Sequence, residues 1–182
     1  GFERIETPIL EEATLFSKAI GRDSDIVEKE MYLFEDLDGA KLVLRPEATA
    51  SIARAYINHG MFTLPQPIKL WYWGPMFRHE RPQSGRYRQF HQFGFEMIGE
   101  ASPVSDAMII LIAYNFYQEL GVPVTIQINS LGCTDCRPAY REQLLQYYRS
   151  HRCEICENCK KRLQRNPLRV LDCKEPGCTP MK

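Results

Sequence analysis

No cysteine occurs before Cys133, although the 182 residues contain seven. A secreted, disulfide-stapled scaffold spreads its cysteines along the chain, so this clustering excludes that class. It favours a reducing compartment in which the thiols are idle or metal-bound. Net charge is also absent, 23 Lys and Arg balancing 23 Asp and Glu, so no global field draws the chain to nucleic acid. No apolar run is long: Ala107 to Ala113 is the longest and is far too short to cross a bilayer. Gly1 to Pro8 is polar and patterned like the end of a strand, unlike a secretory signal. There is no Gly-rich phosphate loop of either common type, no internal repeat and no low-complexity stretch. The chain opens on Gly1 without an initiator Met and stops at Pro180-Met181-Lys182 without a closing element. It is expected to be an excerpt of a longer protein.

What is present reads as an ordinary globular chain, 44% hydrophobic and 25% charged. Pro8 with Phe2, Ile5 and Ile9 suggests an extended edge segment. Glu11 to Ile20 has helical spacing closed by Gly21. Met31 to Leu44 reads as a hairpin turning at Asp38-Gly39. Pro46 sits at a first helical turn, and Ala48, Ile52, Ala53, Tyr56 and Ile57 form a stripe ended by Gly60. A second hairpin pairs a strand from about residue 68 to 80 with one from about 88 to 98, around the basic connection Arg81 to Arg86. Ser102-Pro103 starts a helix to Leu120 that is apolar nearly all round and so expected to be buried, with Gly121 as its stop. Val124 to Asn129 alternates like a strand. Pro138 to His151 is an amphipathic helix, and the remainder reads as irregular. Hairpins outnumber any βαβ signature, so the expected class is α+β, an antiparallel sheet with helices on one side.

Alternation along the second hairpin singles out a site. Phe90, Gln92, Gly94, Glu96 and Ile98 share one face; His91, Phe93, Phe95 and Met97 share the other, which is the expected core face. An aromatic, an amide and a carboxylate around a glycine suit a ligand better than a plain structural strand. Met76, Arg78 and Glu80 share a parity on the outgoing strand. Turned toward the Phe90 row, they add a phosphate-binding guanidinium and a second carboxylate, over which a flat base, an anionic group and an ammonium fit. A solvent-facing sheet laced with salt bridges remains the alternative on pattern alone. His79 and His91 fall off the site face by the same alternation. Trp71 and Trp73 read as sheet or subunit packing.

Phe77-Arg78-His79-Glu80, a loop, then Arg86-x-x-x-Phe90 resembles motif 2 of class II aminoacyl-tRNA synthetases. The longer string from Phe77 to Gln83 with Arg86 to Phe90 is similar to the histidyl-tRNA synthetase family. So are Lys29-Glu30-Met31-Tyr32, Leu44 to Ala50, Asn129 to Gly132 and Asn166 to Asp172, while Gly1 to Pro8 resembles the tail of motif 1. The resemblance implies a class II catalytic core over 1–134 and the start of a Cys- and Arg-rich insertion domain over 135–182. It implies that Arg78 holds the α-phosphate of ATP, Glu80 meets the adenine amine, Phe90 stacks on adenine and Arg86 lies near ATP. Glu47, Ala48, Thr49 and Gln92 form the site for the histidine α-ammonium, and Glu96 reaches the imidazole. ATP with Mg²⁺, L-histidine and tRNA(His) are the implied cofactors and partners, in a cytoplasmic homodimer. Motif 3, the family's Arg-Gly-Leu-Asp-Tyr-Tyr stretch, the helix that opens motif 1 and an anticodon-binding domain are not found in the 182 residues, so the piece alone is expected to be inactive or feeble.

The cysteines add a separate expectation. Cys156-x2-Cys159 and Cys173-x4-Cys178 are two short-spaced pairs able to bind one tetrahedral Zn²⁺ in a structural role; reduced, unligated thiols are the alternative. Arg137, Arg141, Arg149, Arg152, Lys160, Lys161, Arg162, Arg165 and Arg169 give this region a basic bias, either a solvated helix face or an RNA-facing one. Two rival functions follow: a synthetase-like regulatory subunit of histidine biosynthesis, and a zinc-dependent RNA-binding module.

Overall fold

A computed structural model of the chain describes residues 1–19, 30–81, 83–130 and 132–181. The expected helix stop at Gly21, and Lys29, Pro82 and Leu131 of the quoted strings, lie outside the described residues. The chain forms two compact units, Gly1–Thr125 and Ile126–Lys182. The first contains, in order, β1 (Glu3–Arg4), β2 (Leu10–Glu12), α1 (Ala13–Ala19), β3 (Tyr32–Glu35), β4 (Lys41–Leu44), α2 (Thr49–Asn58), β5 (Ile68–Phe77), β6 (Gln89–Ile98) and α3 (Pro103–Glu119). The second contains α4 (Cys136–Ser150) and α5 (Glu157–Arg165), followed by 3-10 turns at Pro167–Val170 and Pro176–Met181.

Two three-stranded sheets make up the first unit. One has the order β1-β5-β6, with β1 parallel to β5 and β5 antiparallel to β6; the other has the order β2-β4-β3 and is antiparallel throughout. The mixed α and β architecture with antiparallel pairing is the expected one, but the helices are not confined to one side: α2 packs on one face of the β5–β6 pair and α3 touches the other. The Asp38-Gly39 hairpin forms as read, Gly39 taking φ +78°, a conformation that glycine adopts without a Cβ clash.

The core of the first sheet lies on a different face from the one expected. Leu70, Tyr72 and Met76 are 5%, 7% and 0% exposed and pack with Ala48 and Ile52 at the start of α2. Trp73 and Phe93, on the face expected to be core, are 53% and 38% exposed. Aromatic content suggested that face, but burial follows whatever element lies over it. α2 lies over the Phe90 side, whereas α3 touches the other through Phe116, whose ring centroid is 4.7 Å from that of Phe93.

α3 itself has no buried residue, contrary to expectation. A helix that is apolar all round is buried only when neighbours enclose it, and among the described residues the sheet meets a single stripe. Its ends do follow the sequence signals: the Ser102 hydroxyl accepts from the Val104 N–H at 3.2 Å, and Gly121 has φ +69°.

Other departures have local causes. Val124–Asn129 forms no strand; Ile126 and Ile128 are exposed, and alternation without a partner edge leaves the backbone unpaired. Glu11 belongs to β2, ahead of α1, where it is buried and accepts both guanidinium donors of Arg54, Nη2 to Oε1 at 2.7 Å. Pro46 precedes the helix, because the Glu47 carboxylate takes the N–H groups of Thr49 and Ala50 (2.7 and 3.0 Å) and so sets the start of α2. The tail expected to be irregular contains α5. Its two buried residues, Cys159 and Leu163, are an i,i+4 pair, too sparse to register as a helical stripe.

Candidate functional site

The β5–β6 register assembles the site. Met76 pairs with Phe90, Gly74 with Gln92, Tyr72 with Gly94 and Leu70 with Glu96. Directly opposed residues share a face, so Phe90, Gln92 and Glu96 stand on the α2 side of the sheet. All three keep partial exposure, so packed side chains do not plug the surface. α2 brings Thr49 to this face, where its hydroxyl donates to Glu96 Oε1 at 2.6 Å. Glu47 lies beside it with both carboxylate oxygens on the helix N-terminus. Ala48 is buried among core side chains, and its carbonyl accepts from the Ile52 N–H at 2.9 Å.

Arg78 reaches the site by the expected alternation, and Glu80 by another route. β5, expected to run to residue 80, ends at Phe77, and the chain then turns tightly, the Glu80 N–H donating to the Arg78 carbonyl at 2.9 Å. The Arg78 N–H still donates to the Arg88 carbonyl at 2.9 Å, so the strand register carries Arg78 to the Phe90 face as its parity predicts, and alternation no longer governs Glu80. Arg78 is placed by its Nε–H, which donates to the Pro46 carbonyl at 3.0 Å, and by the Phe90 ring, whose centroid lies 5.2 Å from the guanidinium carbon. Its Nη groups have no protein partner among the described residues, so they remain available to an anion. Glu80 Oε2 lies 3.5 Å from Arg86 Nη1 in the connecting loop, an exposed and loose ion pair.

Tyr72 and Arg45 were missed by sequence reasoning. The Tyr72 hydroxyl accepts from Gln92 Nε2 at 2.8 Å, which turns the Gln92 carbonyl toward a donor. Arg45 is buried and braces the floor, with Nη1 donating to the Thr7 carbonyl at 2.6 Å and Nε to the Pro75 carbonyl at 3.0 Å. Burial pushes its pKa down, against the pull of Glu6 and Glu11. The available signals were the parity that Tyr72 shares with Gly74 and Met76, and the place of Arg45 in the Leu44–Ala50 string.

Gly94 serves Tyr72 instead of leaving room for a ligand. A Cβ at Gly94 would stand 2.4 Å from the Tyr72 hydroxyl. Gly94→Ala is accordingly expected to destabilise the chain by about 1–3 kcal/mol through forced repacking, read as a lower urea midpoint. An unchanged midpoint would show that Tyr72 moves aside freely.

Glu96 is the most perturbed carboxylate of the site. Burial pushes its pKa up, the Thr49 hydrogen bond opposes this, and the nearby Glu47 charge adds to it. A carboxyl raised in this way binds more protons folded than unfolded, so stability falls as pH rises from the ordinary carboxylate range through the raised value. Glu96→Gln removes that penalty. The variant is expected to melt higher than the parent at about pH 7 and to lose the advantage near about pH 3, where the parent carboxyl is protonated in both states. Equal melting temperatures at both pH values would contradict it.

A cleft of about 500 Å³ lies off this face, around Glu6, Thr7, Lys18, Arg54 and His59. Arg54 there is already engaged by Glu11, and among the described residues no aromatic side chain other than the His59 ring lines it.

In the second unit, the Sγ atoms of Cys156, Cys159, Cys173 and Cys178 all lie within 4.8 Å of one another. Tetrahedral Zn–S bonds of about 2.3 Å place sulfurs about 3.8 Å apart, and the donors are thiols, so the set fits zinc. Cys159, Cys173 and Cys178 are buried and form much of the core with Tyr148, Ile155, Leu163 and Val170. Burial, with the neighbouring thiols, pushes the Cys159 thiol well up. Such a thiol stays protonated unless a cation replaces its proton. The Cys156 N–H donates to Cys178 Sγ at 3.1 Å, a bond that steadies a ligand sulfur. Arg141, Arg149, Arg152 and Lys160 line a basic groove of about 330 Å³ on this unit.

Comparison with known proteins places these features in context. A family model described as histidyl-tRNA synthetase matches residues 1–135. The histidine--tRNA ligase of Aquifex aeolicus is 54% identical over 178 residues, covering 97% of this chain and 44% of that protein. That of Dehalococcoides mccartyi is 52% identical over 179 residues, covering 98% and 43%. The crystal structure of apo S. aureus histidyl-tRNA synthetase superposes with a TM-score of 0.70 at 38% identity, over 92% of this chain and 39% of that one. A Bacillus halodurans structure described as an ATP phosphoribosyltransferase regulatory subunit/histidyl-tRNA synthetase shares the fold, with a TM-score of 0.63 at 24% identity. The chain spans about 43% of the length of the curated relatives that it matches.

Proposed function

The chain belongs to the histidyl-tRNA synthetase family, and from that premise we propose that a protein of the relatives' full length, containing this site, activates L-histidine with ATP and transfers it to tRNA(His). The observation behind this reading is the shared face of Phe90, Gln92 and Glu96, with Arg78 set over Phe90 and Thr49 bonded to Glu96. Adenine stacks on Phe90, and Glu80, within reach of Arg86, accepts from its amine. Arg78 offers its free Nη donors to the α-phosphate. Glu47, the Ala48 backbone, Thr49 and the Gln92 carbonyl receive the α-ammonium. Glu96 accepts from an imidazole N–H, a polar match whose loss rejects other amino acids strongly.

A histidine carboxylate oxygen attacks the α-phosphorus in line, the bond to pyrophosphate breaks, and histidyl-adenylate forms. The terminal ribose hydroxyl of the tRNA then attacks the acyl carbon and AMP leaves. No enzyme nucleophile is required; positioning and charge stabilisation by Arg78 do the catalysis. Mg²⁺ accompanies ATP and offsets phosphate charge. Residues 1–134 supply this catalytic portion, and 135–182 the start of an inserted domain that Zn²⁺ on Cys156, Cys159, Cys173 and Cys178 holds folded. The working protein is a cytoplasmic homodimer; among the described residues no helix is long and apolar enough to cross a membrane.

Labelled pyrophosphate is expected to exchange into ATP in the presence of histidine and the complete protein, and with no other amino acid. Exchange with a different amino acid would overturn the substrate assignment. No exchange with any would favour the regulatory-subunit reading instead.

A further inference from the structure

Cys133, Cys136 and Cys153 stand outside the four-thiol set, and all three are exposed. Two of them form a pair. Cys133-Thr134-Asp135-Cys136 is a turn leading into α4, closed by the Arg137 N–H on the Cys133 carbonyl at 3.0 Å. It brings the two Sγ atoms to 3.5 Å. The turn is shaped around these sulfurs: the Cys133 N–H donates to Cys136 Sγ at 3.1 Å, and a Cβ on Gly132, at φ +74°, would stand 2.8 Å from the same sulfur. The backbone amides of Cys136 and Asp135 hold the Cys133 thiol below its ordinary value, although the Asp135 carboxylate lies 3.9 Å from it. Among the described residues the four-thiol set is the one group of three or more mutually close metal-ligating side chains, and the pair stands apart from it.

We propose that Cys133 and Cys136 form a thiol–disulfide exchange site, reversibly oxidised by a low-molecular-weight disulfide such as oxidised glutathione. The Cys133 thiolate attacks one sulfur of that disulfide, its S–S bond breaks, and one reduced thiol leaves. Cys136 releases its proton to solvent and attacks the Cys133 sulfur of the mixed disulfide, expelling the second thiol. The two cysteines lose two electrons, and the small disulfide gains them. Closing the ring takes the sulfurs from 3.5 Å to about 2.05 Å, a movement confined to the turn. Accessible paired thiols with thiolate character are the ones that exchange readily.

The test is incubation of the whole chain in graded glutathione redox buffers, acid quenching, alkylation and peptide mass spectrometry. The peptide holding both cysteines is expected to lose two hydrogens, reversibly. Cys136→Ser is expected to trap glutathione on Cys133, and Cys133 to react about fivefold faster than Cys153. Assignment by peptide keeps the result independent of zinc occupancy at Cys156, Cys159, Cys173 and Cys178. Equal adducts at equal rates on Cys133 and Cys153, or a stable glutathione adduct on Cys133 in the unaltered chain with no internal disulfide, would overturn the proposal.

Discussion

Arg78→Ala in the complete protein is expected to slow histidine-dependent pyrophosphate exchange by about 10²–10³-fold, the usual loss when one donor to developing charge is removed. The guanidinium makes one protein hydrogen bond, to the Pro46 carbonyl, and lies over the Phe90 ring. Those contacts stabilise the fold by about 0.5–3 kcal/mol each, so the melting temperature should fall by several degrees and leave the protein folded under assay conditions. The separation between the two readouts is the informative part. Arg78→Lys retains the charge but not the paired donors, and is expected to recover little of the rate. A drop in stability that matched the loss of rate would make Arg78 a structural residue.

Stripping zinc from the proposed four-thiol site should produce the larger physical effect. The four thiols at the centre of the second unit stand where Leu or Val would stand in a larger domain, and three of them are buried. A small unit with a sparse core commonly depends on a metal or disulfides. Structural zinc binding is worth about 10–16 kcal/mol in small peptides, more than such a core supplies alone. Zinc chelation, or Cys159→Ser, is therefore expected to unfold α4 and α5 while leaving the β5–β6 hairpin folded. Amide hydrogen exchange reads the two units separately. Full protection of α4 and α5 after complete chelation would mean that the thiols pack as an ordinary reduced core.

Much of this was legible in the amino-acid sequence, and the failures share a cause. The β5–β6 hairpin, the Asp38-Gly39 turn, the C-terminal end of α2 and both ends of α3 all depend on local signals such as alternation, caps and glycines, and these formed as read. Which face of a strand is covered is not local. Phe93 looked like core, yet α2 lies over Leu70, Tyr72 and Met76. Val124–Asn129 alternates like a strand, but pairing needs an edge that the pattern cannot reveal. Arg78 and Phe90 were legible because their spacing is distinctive. Phe90 is set by the strand register, whereas the Arg78 guanidinium is fixed by a carbonyl at Pro46, 32 residues away in sequence. Tyr72 and Arg45 stayed hidden because their roles exist only through partners, Gln92 in one case and Thr7 with Pro75 in the other.

The most direct measurement is a crystal structure of the complete protein bound to a non-hydrolysable histidyl-adenylate analogue. The base should lie against Phe90, the phosphate mimic on the Arg78 Nη donors, the ammonium at Glu47, Thr49 and Gln92, and the imidazole at Glu96. An analogue seated elsewhere, for instance in the cleft around Lys18 and Arg54, with the Phe90 face empty, would contradict the account.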